Sequence, residues 1–298
     1  MSMSGASSRA AAADAVAEAE GVAGVARPVR VGVVTVAHGR HEHLRHQHRA
    51  LARSDRLPDD YLVVAMGDPE ITARTLDGLS SRVVPVAVPP DGRLPLAAAR
   101  NLGARTVIGA GADVVVFLDV DCLPGRELVA AYADAAHREP GVLWSGPVTY
   151  LPPGRGGADL DRLDDLDSPH PARPAPARGE LLVGGDPDLF WSLSFAVSAE
   201  GWTRVGGFCE DYTGYGGEDT DFGRSAVAAG LGLGWVGGAR AYHQHHPVES
   251  PPVRHLDDIL RNGALFHRRW GEWPMRGWFV AFEEQGLVRR TGDGWERA

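Results

Sequence analysis

The feature that most restricts the fold of this chain is a rhythm in its first half. Short apolar runs, mostly β-branched, alternate with longer helical stretches: PVRVGVVTVA (28–37), YLVVAM (61–66), RVVPVAV (82–88) and VVVFLD (114–119). Each run is too short for a helix and too uniformly apolar for a half-solvated strand, so each reads as a buried strand. Helical segments are expected over 38–53, over 71–79 and over 94–111, the last Ala-rich and closed by glycines. Strands alternating with helices imply βαβ units and a mostly parallel sheet, so the fold class is α/β.

The character changes after Tyr150. Residues 151–180 are rich in Pro, Gly, Asp and Arg and show no apolar periodicity, which predicts a long, flexible surface loop. Regular structure resumes with LFWSLSFAVS (189–198), a turn at Gly206-Gly207-Phe208, a helix over 218–229, short strands within 232–246 and a last helix over 256–270. The organisation is thus a βαβ half over 28–150, the loop over 151–180, a mixed half over 181–272 and an extension over 273–298. In that extension Arg276, Trp278, Phe279 and Phe282 could dock on a membrane or a partner, although a helix packed on the fold is the stronger expectation. Residues 1–27 are Ala-rich but carry Asp14, Glu18 and Glu20 inside the apolar stretch. A secretory signal needs a basic start and an unbroken apolar core, so this segment is expected to be a frayed helix or a disordered tail.

Composition narrows the function. No apolar run reaches the ~18 residues that span a bilayer. A net charge of -9 disfavours a nucleic-acid binder, which normally shows a basic face. The two cysteines, Cys122 and Cys209, form no disulfide framework and fit a reducing compartment. A cytoplasmic protein is expected.

Three constellations carry chemistry. The first is Asp119-Val120-Asp121, at the tip of the fourth strand. Ligands of open parallel sheets bind beyond the carboxyl ends of the strands, so topology sets both aspartates in the expected crevice. Two like charges so close need a proton, water or a cation between them. Hard oxygen ligands suit Mg²⁺ or Mn²⁺; the plain alternative is a solvated turn, with Pro124 and Glu127 starting a helix. The second is GYGGEDTDFGRSAVAAG (214–230), in which a pliable glycine loop leads into a helix opened by Glu218, Asp219 and Asp221. Acids in a first helical turn are ordinary caps, but a carboxylate exposed by small residues is also a plausible general base. The third is AYHQHHP (241–247). Strand alternation sets His243 and His245 on one face and His246 on the other, and a neutral imidazole here could bind a metal. A second cluster, His38, His41, His43, His46 and His48, reads mostly as a solvated helix face, with His38 and Arg40 placed to touch an anionic ligand.

In this order the three constellations resemble the GT-A glycosyltransferases, in particular family 2 enzymes whose C-terminal part is similar to that of the β-1,4-galactosyltransferases. The motifs that carry the likeness are Asp119-Val120-Asp121, the run Thr213 to Asp221, Val205-Gly206-Gly207-Phe208, the segment His38 to Leu44, and Ala99-Arg100-Asn101-Leu102-Gly103. The likeness implies a GT-A fold, with a nucleotide-sugar-binding half over 28–150 and an acceptor-binding, catalytic half over 181–272. It implies a nucleotide-sugar donor, UDP-linked by family habit, a glycan or small-molecule acceptor, Mn²⁺ or Mg²⁺ as cofactor, and transfer with inversion. Ala37, His38, Arg40, Asp68 and Arg100 would contact the donor, with Asp119 on the ribose or the ion. Asp121 and His243 would be metal ligands. Glu218 and Asp219 would hold the acceptor, with Asp219 as the base. Tyr215 stands where the family has tryptophan, on a loop expected to close over the donor. Two rival readings remain: an inactive homologue that only binds nucleotide or glycan, and a metal-dependent phosphohydrolase, which gives no reason for the GYGGED block.

Overall fold

The computed structural model describes residues 27–157, 160–292 and 294–298. The tail expected over 1–27 lies outside the described residues except for Arg27. In chain order the elements are β1 (Val31–Ala37), α1 (His41–Leu51), β2 (Asp60–Met66), β3 (Thr75–Leu76), β4 (Leu79–Ser80), β5 (Arg82–Val86), α2 (Leu96–Gly109), β6 (Val114–Leu118), β7 (Cys122–Pro124), α3 (Leu128–Arg138), β8 (Val142–Ser145) and β9 (Val148–Tyr150). They continue with β10 (Leu181–Val183), β11 (Ser194–Ser198), α4 (Ala199–Val205), α5 (Glu218–Ala228), β12 (Gly232–Val236), β13 (Ala241–His243), α6 (Leu256–Trp270), α7 (Arg276–Glu284), β14 (Val288–Thr291) and β15 (Gly294–Arg297).

Eight strands form the central sheet, in the order β10-β12-β8-β11-β6-β1-β2-β5. β5, β2, β1 and β6 run parallel; β11 is antiparallel to both β6 and β8. The order reverses at β1, whose neighbours are β2 and β6, and such a switch point opens a crevice beyond the carboxyl ends of the strands. Asp119 and Asp121 follow β6 directly, and His38 follows β1.

Both faces of the sheet are covered, which is why the parallel strands read as continuous apolar runs. Val31, Val33, Val63 and Val116 pack with α1 and α3 on one face. Val34, Val64, Val115 and Phe117 pack with α2 and the aromatics of α4 and α5 on the other. α2 lies very close to β1: a Cβ on Gly32 would sit 2.6 Å from the Cβ of Val107, and one on Gly103 2.3 Å from Val34. The four expected strands are all present.

Three local expectations are corrected. The helix expected over 71–79 is the β3–β4 hairpin, because Asp77 and Gly78 both adopt positive φ, 49° and 86°, the geometry of an Asp-Gly hairpin turn. Pro124 ends β7 and opens no helix, whereas Glu127 is the N-cap residue of α3, its carbonyl accepting from the Ala131 N–H at 2.8 Å and its side chain making no cap bond. The solvated histidine face is only partly solvated, since His48 is buried and bonds the Leu79 carbonyl at 2.8 Å. Among its described residues the loop over 151–180 has one 3₁₀ turn (Leu163–Leu166), and its Leu151, Leu160 and Leu163 are buried against Leu123 and Tyr242. In the C-terminal extension Phe279 and Phe282 are fully buried in a cluster with Ile259 and Val288. Among the described residues no helix is long and apolar enough to cross a membrane.

Candidate active site

Beyond the ends of β1 and β6 lies a cavity of about 640 Å³, lined among others by His38, Arg40, Asp119, Asp121, Glu218 and Asp219. The turn that carries the two aspartates is held from below. The buried Gln47 amide donates to the Asp119 carbonyl at 2.6 Å and the Cys122 carbonyl at 3.0 Å, while its oxygen accepts from Thr35 and Tyr61. Both N–H groups of that side chain fix this turn, while its oxygen anchors it to β1 and β2.

β7 then pairs antiparallel with β13, opposing His243 to Cys122, and the Gln244 N–H bonds the Asp121 carbonyl at 2.7 Å. This register brings a histidine from far along the chain onto Asp121. His243 Nε2 lies 3.5 Å from Asp121 Oδ1, and His246 Nε2 lies 3.4 Å from Asp121 Oδ2. The three ligand atoms lie within 4.8 Å of one another. Here the sequence expectation is corrected: His246, not His245, joins His243. β13 ends at His243, so the strand alternation that paired 243 with 245 no longer applies, and His245 is exposed.

The spacing fits a shared ion. Charge-assisted hydrogen bonds are shorter, ~2.8 Å, whereas two donors each ~2.1 Å from one ion stand roughly 3.0–3.5 Å apart. Burial pushes the Asp121 carboxyl up, but His246, His243 and Arg40 outweigh it and hold it below the ordinary carboxylate value. Burial keeps the His243 imidazole less basic than usual, against the pull of Asp121, so it is neutral at neutral pH and able to offer a lone pair. Arg40 Nη1 also stands 3.4 Å from Asp121.

Asp119 has a different partner. Arg100, 4% exposed, reaches Asp119 at 3.1 Å and Glu218 at 3.2 Å. Arg100, expected to contact the donor, and Asp119, expected on the ribose or the ion, are thus joined to each other, and both line the cavity. Burial raises the Asp119 carboxyl to about 6 in spite of Arg100. The next residue, Asn101, clamps Phe208 from both sides, donating to its carbonyl at 2.9 Å and accepting from its N–H at 2.8 Å. The Ala-Arg-Asn segment of α2 thus ties the aspartate turn to the loop that leads into α5.

That loop is seated on α6. Asn262 Nδ2 lies 3.1, 3.2 and 2.9 Å from the carbonyls of Thr213, Tyr215 and Gly216, and Asp258 accepts from the Tyr215 N–H at 3.3 Å. Gly217, at φ 90°, precedes α5 with no side-chain cap, a backbone that glycine allows. The three acids that open α5 have separate fates. Asp221, 1% exposed, accepts from Arg269 at 2.6 Å and Trp270 at 2.7 Å and is structural. Glu218 is held by Arg100. Asp219 uses Oδ1 on the Thr220 N–H at 2.8 Å, and among the described residues its Oδ2 has no hydrogen bond. Burial and the adjacent Glu218 raise the Asp219 carboxyl well above the usual range.

The remaining predicted positions stand as follows. His38 lines the cavity, and its Nδ1 lies 2.7 Å from the Met66 carbonyl. Ala37 is buried at the end of β1. Asp68 lies behind the turn after β1, accepting from the Gly39 N–H at 2.8 Å and contacting His41 at 2.7 Å. Tyr215 lines the cavity and stacks on His255 at 4.4 Å and Trp278 at 5.9 Å. Sequence reasoning missed His246 as part of the trio, Gln47 and Asn101 as clamps, and Trp191 in the crevice wall. Gln47, an uncharged residue within a helix of histidines and arginines, was the one local signal.

Comparison with known proteins agrees with this geometry. The family model described as "N-terminal domain of galactosyltransferase" (Glyco_transf_7C) matches residues 188–247, the stretch that holds β11, α5 and the histidines. Validoxylamine A glucosyltransferase of Streptomyces hygroscopicus subsp. limoneus is 29% identical over 269 residues, 80% of this chain and 58% of the relative. Chondroitin synthase of Pasteurella multocida (strain Pm70) is 27% identical over 179 residues, 51% of this chain and 18% of that protein. The chain thus spans little more than half the length of the first and a small part of the second. Among solved structures, GalNAc-T7 with UDP, GalNAc and Mn²⁺ aligns at TM-score 0.53 and 14% identity, covering 73% of this chain and 44% of that one. S. aureus TarS 1–349 in complex with UDP-GlcNAc aligns at TM-score 0.52 and 14% identity, covering 87% and 78%. The chain has the GT-A fold, and the resemblance to GT-A glycosyltransferases read from its motifs holds.

Proposed function

We propose that the chain is a metal-dependent glycosyltransferase. It moves a sugar from a nucleoside-diphosphate donor, UDP-linked, to a hydroxyl of a glycan or small-molecule acceptor. The observation that carries this reading is one crevice lined both by Asp121, which is grouped with His243 and His246, and by Asp219, a carboxylate with a free oxygen among the described residues. The named relatives include a glucosyltransferase, and the solved neighbours hold UDP with Mn²⁺ or a UDP-sugar.

Asp121, His243 and His246 would hold the ion. Two imidazoles and one carboxylate favour Mn²⁺ over Mg²⁺, which prefers oxygen. A bound divalent ion would stabilise the negative charge that grows on the leaving diphosphate. Arg40, exposed to the cavity beside Asp121, adds a positive group on the same side. Asp219 accepts the proton of the attacking hydroxyl; burial brings its affinity for a proton closer to neutral pH, where a base is most effective. Arg100 holds Glu218 in place, 3.2 Å away, as an acceptor of hydroxyl hydrogen bonds. A single displacement, in which the acceptor oxygen bonds to the anomeric carbon as the diphosphate oxygen leaves it, would invert that centre.

The test is a thermal-shift screen of UDP- and GDP-sugars with and without Mn²⁺, followed by an assay of nucleoside diphosphate release. Mn²⁺-dependent stabilisation by a UDP-sugar, with UDP released in turnover, is the expected result. Ion-independent binding, or release of phosphate from simple esters, would reject the reading.

A further inference from the structure

The loop over 151–180 carries a buried cation that the mechanism does not use. Arg173 is 6% exposed, and none of its three side-chain nitrogens makes a hydrogen bond among the described residues. Its guanidinium lies between two indoles instead, 5.1 Å from the ring centroid of Trp191 and 4.9 Å from that of Trp235. Buried arginines are ordinarily held by carboxylates or carbonyls, as Arg100 is in this same molecule. Arg173 has exchanged such partners for two π faces, whose attraction for a cation strengthens away from water.

The two indoles differ in setting. Trp235 is fully buried on β12, whereas Trp191 is half-buried and lines the crevice. A cation stacked on the enclosed ring therefore fixes the position of the exposed one. From Trp191 an aromatic row runs across the wall: His170 at 5.2 Å, Tyr150 5.6 Å from His170, and His243 of the metal trio 4.7 Å from Tyr150. Trp191 and Asp219 line the same cavity.

We propose that Arg173 is a positioning residue that holds Trp191 as a flat apolar wall for the acceptor ring beside Asp219. The inference rests on the transferase reading above. A ring with a CH-rich face and equatorial hydroxyls, a hexose or a cyclitol, matches an indole wall with carboxylates beneath it. The donor diphosphate belongs at the other end of the row, by His243, so Arg173 acts on the acceptor and not on the donor.

The experiment labels the full chain with 5-fluorotryptophan, assigns the Trp191 resonance with Trp191→Phe, and compares wild type, Arg173→Met and Arg173→Lys by ¹⁹F NMR. Arg173→Met is expected to shift or broaden the Trp191 line while the lines distant from it hold, and Arg173→Lys, which keeps a cation on the rings, to restore much of it. With UDP-glucose as donor and p-nitrophenyl β-glucoside as acceptor probe, Arg173→Met should raise the acceptor KM by roughly 5- to 30-fold with kcat little changed. The Kd of Mn²⁺–UDP should stay within about twofold of wild type, a shift below the tenfold that marks a lost contact. An unmoved Trp191 line in Arg173→Met overturns the proposal, as does a loss confined to donor affinity. Absence of Mn²⁺-dependent UDP release from wild type would instead remove the transferase reading. If Arg173→Met fails to fold, Arg173→Lys is read alone: a Trp191 line displaced with the acceptor KM supports the proposal, and a KM change without displacement refutes it.

Discussion

Replacing Arg100 by methionine tests the bridge on which both halves of the site depend. The guanidinium is 4% exposed and touches Asp119 at 3.1 Å and Glu218 at 3.2 Å. Methionine fills much of the space but leaves two enclosed carboxylates without their cation. Breaking a buried ion pair by removing one partner costs about 3–5 kcal/mol, because the surviving charge is stranded. At about 2–4 °C per kcal/mol for a domain near this size, the melting temperature should fall by about 6–20 °C. Circular dichroism of the metal-free protein at neutral pH reads this directly. The double variant Arg100→Met with Glu218→Gln removes one stranded charge, so it should recover a substantial part of the loss. Mn²⁺ affinity should change by less than about threefold, since Asp121 draws its partners from Arg40, His243 and His246, not from Arg100. A drop of under about 2 °C, or a double variant no more stable than the single, would show that the two carboxylates are solvated and that the bridge carries little energy.

Other expectations follow from the same geometry. Asp219→Asn should lower kcat by about 10²–10⁴ while donor affinity stays within about threefold, and near-normal turnover would remove Asp219 as the base. Because the Asp219 carboxyl is raised in the folded state, the pH–rate profile should lose activity on the acid side well above the ordinary carboxylate value near 3.8. Its stability linkage has the matching sign: the folded state binds this proton more tightly, so the contribution is present at low pH and lost as pH rises through the raised value. Asp219→Asn should accordingly raise the melting temperature at pH 8 more than at pH 4; equal shifts would contradict the buried setting. His246→Ala should weaken Mn²⁺ binding by at least about tenfold in calorimetry, whereas His245→Ala should not, and the reverse ranking would overturn the trio. Asn101→Ala should destabilise the fold by about 2–3 kcal/mol in urea unfolding, because the Phe208 N–H and carbonyl lose their shared partner.

The parts of this molecule that were legible in the sequence are those set by local pattern. β-branched runs gave β1, β2 and β6, buried on both faces, and also β5, which is an edge strand and only partly buried, not the buried strand expected; the crevice at the strand ends followed from their parallel pairing. Asp119 and Asp121 were placed there by position alone, and the glycine-led helix start of α5 was visible because Gly217 meets a backbone requirement that other residues resist. Short-range chemistry was also where reading failed: Asp77-Gly78 makes a hairpin turn inside a stretch whose apolar spacing imitates a helix.

Everything that depends on which distant residues meet was decided by the tertiary structure. The register of β7 on β13 selects His243 and, past the end of the strand, His246, so that alternation could not choose between 245 and 246. The packing of α2 against β1 and β6 gives Arg100 to Asp119 and Glu218, and this divides the two aspartates: Asp121 faces His243 and His246 while Asp119 is tied to α5. The same long-range contacts set Arg173, from a loop without periodicity, between tryptophans of two other segments. Periodicity records which face of an element is buried. It does not record what that face is buried against, and the chemistry of this crevice lies in those pairings.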